Sequence, residues 1–395
     1  MFPDIGSLEE HSEMPDFDKI AGSLLSMVRS ALRGEGFQTD QPIEWAPLLT
    51  FASRHNLQHI VAAFALGDDL SVTLTPEMLA QMQKIYLQAD VIRRTQDFEA
   101  ERLMQYFEAQ GLSIMPIKGI CTRRRYPNAA LRSMGDIDFL YRPEQTKAVR
   151  AAMDALGYTD YREGRKNDSW RLAPYIHVEM HREMVAAESA QHDYYRDVWS
   201  RARRMAERQY CFQMPLEDAY VFNLVHFAEH LLEGGAGIRF VMDLFVYEHT
   251  AMDRDYLTGE LTKIGLLTFY ENVRAIAEAW FGDPAAELTE VQQQLAAFLL
   301  DSGVFGKRDH AAALAVSGGR AASLLKICFP GYESMRSMFP WLEKAHVLLP
   351  YSWVLRGYRA VRYRPDRVRH KLRQTLHGDR EKGKDLGALF IECGL

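Results

Sequence analysis

Cysteine is scarce in this chain. Cys121, Cys211, Cys328 and Cys393 stand far apart, and no pair has zinc-knuckle or thiol-redox spacing. Reduced thiols in a cytoplasm are the simplest reading. Long apolar runs are missing too. The run 60–66 is typical and is far too short to span a bilayer. No basic excess exists either: 47 Lys and Arg face 53 Asp and Glu, a formal net charge of −6. The whole chain therefore has no general attraction for nucleic acid, and any basic site must be local. The first residues are acidic (Asp4, Glu9, Glu10, Glu13), the opposite of a basic signal-peptide start. There is no internal repeat and no low-complexity tract. These absences lead to the expectation of a cytoplasmic protein that does not enter the membrane.

What is present is ordinary globular material, 47% hydrophobic and 25% charged over 395 residues, enough for two or three domains. Apolar residues at helical spacing predict helices over 17–32 and 45–64. Thr75-Pro76 caps and opens a longer helix to about residue 110, closed by Gly111. The pattern changes there. Short apolar or alternating segments at 113–117, 134–141, 158–162, 169–173 and 175–182 read as strands. One or two helical turns at 119–126 and a helix over 142–156 separate them. Residues 209–213 offer one more strand. From Pro215 the chain is helical again, with a break at 234–237 and a further helix at 240–249. The expected fold is α+β, a small mixed sheet flanked by helical regions. The expected divisions are 1–110, 111–214 and 215–395.

Asp136 and Asp138 carry the chemistry of the central segment. Two residues apart on a strand, they point to one face, and Ile137 and Phe139 point to the other. Paired carboxylates repel unless one is protonated or a cation lies between them. A divalent ion such as Mg²⁺ or Mn²⁺, which takes a few carboxylates together with substrate phosphates, answers that conflict. On 175–182 the same alternation puts His177, Glu179 and His181 on one face, and the right register would make Glu179 a third acid. One carboxylate can then hold the metal or take the proton of an attacking hydroxyl. A phosphate side is available as well. Gly119 lets the backbone approach an anion, Lys118 can neutralise one, and Arg132 could clamp one bidentately. Ser133 and Gly135 complete the expected nucleotide contacts.

The ordered set Pro116-Ile-Lys-Gly119, Tyr126-Pro127, Leu131-Arg-Ser-Met-Gly-Asp-Ile-Asp-Phe-Leu140, Leu156-Gly-Tyr158 and His177-Val-Glu-Met-His181 resembles an uncharacterised bacterial nucleotidyltransferase family of the polymerase-β-like superfamily. The resemblance continues more loosely through His226, His230 and Asp243. It implies a minimal nucleotidyltransferase core flanked by helices, with Asp136 and Asp138 as metal-binding acids and Glu179 as the third. Ile120 stands where the superfamily usually has Ser after Gly. The implied reaction moves a nucleoside monophosphate from an NTP, ATP foremost, to a hydroxyl of a small-molecule or protein acceptor. The alternative is a non-catalytic nucleotide-binding or regulatory protein that keeps the fold.

Other features have competing explanations. His226 and His230 share a helix face and could bind zinc, but His-Phe-Ala-Glu-His is not the metalloprotease order. They are expected to have a structural role or, with Arg239, to line the substrate pocket. His177 and His181 are poor Mg²⁺ ligands and are expected to touch substrate or lie on an exposed strand face. One of Arg123, Arg124 and Arg125 could reach a phosphate. The stripe 356–373 holds eight basic residues against Asp366. It could bind nucleic acid or pair with the acidic N-terminal residues.

Overall fold

The computed structural model describes residues 17–395 apart from 40, 68–69, 71–72, 165, 304–307, 317–327 and 364–378. The N-terminal acids and Arg364, Arg367, Arg369, Lys371 and Arg373 of the basic stripe lie outside the described residues. The architecture is α+β: a five-stranded mixed sheet between helices that precede and follow it.

Strands β1 (Ile114–Ile117), β2 (Ile137–Tyr141), β3 (Thr159–Glu163), β4 (Asn167–Leu172) and β5 (Ile176–His181) lie in the order β1-β2-β5-β4-β3. Only β2 and β5 run parallel; the other neighbours are antiparallel. Pro116 lacks a backbone donor and is tolerated because β1 ends that order. The parallel pair sets Ile137 beside Val178, Asp138 beside Glu179 and Leu140 beside His181.

Alternation then gives the sheet two unlike faces. Ile137, Phe139, Tyr141, Ile176, Val178 and Met180 share a core with Leu103, Met104 and Phe107 of the helix Pro76–Ala109 and with Val149 and Met153 of the helix Thr146–Ala155. Met115, Ile117 and Leu140 point the other way. They join the larger core built by the N-terminal helices and by Leu216–Leu232, Ile238–Glu248 and Leu267–Phe281. Asp138, Glu179 and His181 are on that second face, under the C-terminal helices. The helices before and after the sheet also meet directly: Arg29 Nε donates to Trp280 O at 2.9 Å.

Helix ends follow local chemistry. Thr75 Oγ1 accepts from Met78 N at 3.3 Å, Pro76 occupies the first turn, and Gly111 takes φ +67° after the helix. The expected single helix over 45–64 is two, Trp45–Arg54 and Gln58–Ala65, because Asn56 takes a left-handed φ of +56° between them. The strand expected from residue 134 starts at Ile137, so Asp136 stands one residue before it. In the expected strand 209–213 only Phe212–Gln213 is strand, and it pairs with Arg203–Arg204 outside the main sheet. All four cysteines are unpaired. Among the described residues no helix is long and apolar enough to cross a membrane.

Candidate active site

Lys118 links β1 to the short helix Gly119–Arg123 and holds φ +54°, ψ −131°. A non-glycine residue there carries strain of about 1–3 kcal/mol, which persists only where the surroundings dictate it. What dictates it is visible on both sides. The Lys118 carbonyl accepts from Cys121 N and Thr122 N at 3.1 and 3.0 Å. Its ammonium donates to Asp138 Oδ1 at 2.6 Å and lies 3.4 Å from His181 Nε2. Gly119 lies close under Met134: a Cβ there would meet Met134 Sδ at 2.8 Å, and that side chain would have to shift.

The acids converge around this ammonium. His181 Nε2 lies 2.8 Å from Asp138 Oδ1 and 3.4 Å from Glu179 Oε2. One ligand atom each from Asp138, Glu179 and His181 fall within 4.8 Å of one another. His181 is fully buried, and its Nδ1 has no hydrogen-bond partner. Burial pushes the Asp138 carboxyl up, but Lys118 and His181 outweigh it and hold the group well below the carboxylate range. Asp136 responds oppositely. The charge of Asp138, then burial, raises its pKa to about 6 against the pull of Lys118. Burial also opposes the Lys118 charge, yet Asp138, Asp136 and Glu179 keep its pKa above the ordinary value.

Arg132 does not face this cluster as a free clamp. It is buried, and its fork is committed to Asp243, Nε to Oδ1 at 2.6 Å and Nη2 to Oδ2 at 2.8 Å. Tyr126 Oη donates to the same carboxylate at 2.6 Å. Ser133 gives its hydroxyl to Asn56 O at 3.0 Å, and its carbonyl accepts from Arg239 at 3.3 Å. Gly135 is exposed beside Asp136. Burial first, then the charge of Arg132, lowers the Arg239 pKa to about 10, while Asp243 and Asp136 pull it up. Arg123 is buried and braces the loop, donating to Arg132 O, Asp97 and Gln96; Gln96 in turn donates to Met134 O at 3.1 Å. Arg124 and Arg125 are exposed. The loop carrying Asp136 is therefore pinned from the long helix on one side and from Asp243 on the other.

His177 is half-buried, opposite Arg171 in the β4–β5 register, and is not part of the acidic cluster. His226 and His230 stack edge to face at 4.5 Å and both lie against Phe240. Among the described residues neither belongs to a metal-ligand cluster. Burial, then the charge of Lys118, pushes the His230 pKa down to about 4 and lowers His226 as well. Both are neutral near pH 7.

Missed in the sequence were Asp243 as the anchor of Arg132, and Arg123 and Gln96 as braces. Asp243 did leave a signal: it is a lone acid inside the apolar run 240–247, and such a group requires a buried partner.

Burial likewise lowers His55 and His59 to about 4. Their pKa in the unfolded chain is near 6.5, so between about pH 6.5 and pH 4 the unfolded state binds more protons and stability falls as pH falls. We expect the urea midpoint to drop across that window and His59→Gln to flatten part of the drop. An equally steep profile in His59→Gln would show that this imidazole is not held neutral.

A family model described as an uncharacterised nucleotidyltransferase matches residues 41–282, which include the whole sheet and the helices that face Asp138. No curated protein and no solved structure matches the chain.

Proposed function

This chain belongs to the uncharacterised nucleotidyltransferase family, and on that premise we propose that it moves a nucleoside monophosphate from an NTP, ATP foremost, to a hydroxyl of a small-molecule or protein acceptor. The observation that carries this reading is the Asp138–Glu179 register, which brings a third acid beside the Asp136–Asp138 pair on the second face of the sheet. The polymerase-β-like grouping is part of the same proposal, supported by the acidic strand and its third acid.

The donor set suits a divalent cation. Asp138, Glu179 and His181 converge, a cationic ammonium stands against Asp138, and the charge of Asp138, then burial, raises Asp136. An imidazole beside two carboxylates suits Mn²⁺ better than Mg²⁺, which prefers oxygen ligands throughout. Asp138 and Glu179 would hold the ion, with Asp136 adding from the loop and His181 through Nε2. Bound there, it would withdraw charge from the phosphate oxygens.

The chain's own groups do the rest. A carboxylate of the set takes the proton of the attacking hydroxyl. The hydroxyl oxygen bonds to the α-phosphorus, the bond to the β-phosphate bridging oxygen breaks, and pyrophosphate leaves. Lys118, once its hold on Asp138 is loosened, is the cation left to neutralise a phosphate oxygen, and Arg239 stands near Asp136 for the same purpose. Gly119, Ser133 and Gly135 provide backbone for close approach. Arg132 acts through Asp243, by holding the loop. His226 and His230, with His177 at the sheet edge, are proposed to border the acceptor.

Calorimetric titration of ATP with Mg²⁺, with Mn²⁺ and with EDTA, repeated on Asp136→Ala/Asp138→Ala, tests this. Metal-dependent binding that the double variant loses is expected. Equal, metal-independent binding by both proteins overturns it. Incubation with ATP labelled at the α-phosphate and cell extract should then yield a labelled acceptor; tight binding without any labelled product would favour a non-catalytic nucleotide-binding protein.

A further inference from the structure

Among the described residues the helix Leu349–Tyr363 packs mainly along one side, and on the other Tyr351 meets the Trp341 ring at 6.3 Å. Leu349, Trp353 and Leu355 pack on a small core of Met335, Phe339 and Leu342. Ser352 is buried, and Trp353 Nε1 donates to Pro330 O at 2.9 Å. The opposite side is apolar yet exposed. Tyr351, Val354, Tyr358 and Val361 are 58%, 70%, 62% and 64% exposed, and Val347, just ahead of the helix, is 87% exposed. Within the helix, Tyr351, Val354, Tyr358 and Val361 draw one stripe at alternating three- and four-residue spacing along about 15 Å, and Val347 precedes it in the turn before the helix. A single exposed valine needs no explanation, but four apolar side chains in register do.

The charge along residues 344–365 is of one sign, with Glu343 and Asp366 at its borders. No acid occurs from Lys344 to Pro365. Arg359 and Arg362 flank the stripe, Arg359 over the Phe339 ring at 5.2 Å and Arg362 over the Tyr363 ring at 5.7 Å. The sequence continues with five further basic residues to Arg373 against Asp366.

We propose that this helix face docks on an anionic lipid surface and lies flat in it. Charge and apolarity together select that occupant. A second copy packed on the stripe would bring the flanking arginines of both helices along one seam, where like charges oppose pairing. Nucleic acid would engage the arginines and tyrosines but has no use for three valines. A bilayer interface engages all of them: valines enter the acyl boundary, tyrosines sit at headgroup level, and arginines meet lipid phosphates. The helix is 15 residues long and none of the described helices can cross a membrane, so the contact is peripheral. It is independent of the nucleotidyl-transfer proposal.

The full chain is mixed with sucrose-loaded vesicles, either phosphatidylcholine alone or an equal mixture with phosphatidylglycerol, and sedimented. The wild type is expected to pellet with the mixed vesicles, to stay in solution with phosphatidylcholine alone, and to be released by salt. Val354→Asp/Val361→Asp should lower binding by about tenfold or more, since two charges then enter the apolar boundary. Arg359→Gln/Arg362→Gln should weaken binding and reduce its salt dependence. Tyr358→Ser, a milder change on the same stripe, keeps the comparison open if the double aspartate variant melts early. No pelleting by the wild type, or undiminished pelleting by both stripe variants, overturns the proposal. So does a wild-type dimer that the stripe variants convert to monomer, which assigns the face to a second copy. RNA binding that needs the arginines and ignores the valines, without vesicle binding, overturns it in favour of nucleic acid.

Discussion

Asp138→Asn lowers nucleotidyl transfer by about a thousandfold or more, on the order of 4 kcal/mol of transition-state stabilisation. The two shortest contacts of the cluster meet at Asp138. Asp138 accepts from Lys118 at 2.6 Å, meets His181 Nε2 at 2.8 Å and neighbours Glu179 in the β2–β5 register. The amide keeps the shape and one acceptor oxygen but removes the negative charge. A divalent cation held as proposed would then lose a ligand, and Lys118 would be left with Asp136 and Glu179 alone. Metal affinity, read by calorimetry without nucleotide, should fall together with the rate of product formation. Circular dichroism should show an intact fold, because the substitution is isosteric. A variant that retains both metal affinity and rate would remove Asp138 from the centre of the site.

The second large effect is on stability. Asp243→Ala should cost about 3–5 kcal/mol, because it leaves the Arg132 guanidinium buried without its partner. Arg132 and Asp243 are 7% and 4% exposed, so water cannot replace the lost contact. Replacing both partners, as in Arg132→Met/Asp243→Leu, should recover most of the loss, since no unpaired charge then remains. Urea unfolding measures both variants. The same pair distinguishes an anchor from a phosphate clamp. An anchor predicts that Arg132→Lys lowers the unfolding midpoint and leaves the NTP KM of the folded fraction near the wild-type value. A clamp predicts an unchanged midpoint and a raised KM.

The two expectations differ in how far they could be read from the chain. Asp138 stood out in one dimension: an acid repeated at two-residue spacing, set between apolar neighbours, in a segment that follows Lys118-Gly119 in the chain. Arg132 stood out in the same segment and suggested a phosphate ligand, because a guanidinium beside acidic residues suits that role. Its actual partner is Asp243, 111 residues later. Local pattern contains no term for such a contact. His181 was set aside as a poor magnesium ligand, yet its buried Nε2 faces both acids. Strand alternation did put His181 and Glu179 on one face, but their distance from Asp138 depended on the neighbour β5 would choose.

The sequence by itself determined the alternation of helical and strand regions, the α+β class, the ends of the long helix at Thr75 and Gly111, and the acidic strand with its Lys-Gly approach. Each rests on interactions between residues a few positions apart: caps, turn conformations and the two- and 3.6-residue periods. Tertiary structure alone decided that β2 and β5 pair in parallel with Asp138 beside Glu179, and that Lys118 bends back onto that pair. It also decided that Asp243 takes Arg132 and that the stripe on Leu349–Tyr363 faces away from the core. Those outcomes depend on which surfaces meet when apolar faces are buried, and on which buried charges must then find a partner from elsewhere in the chain.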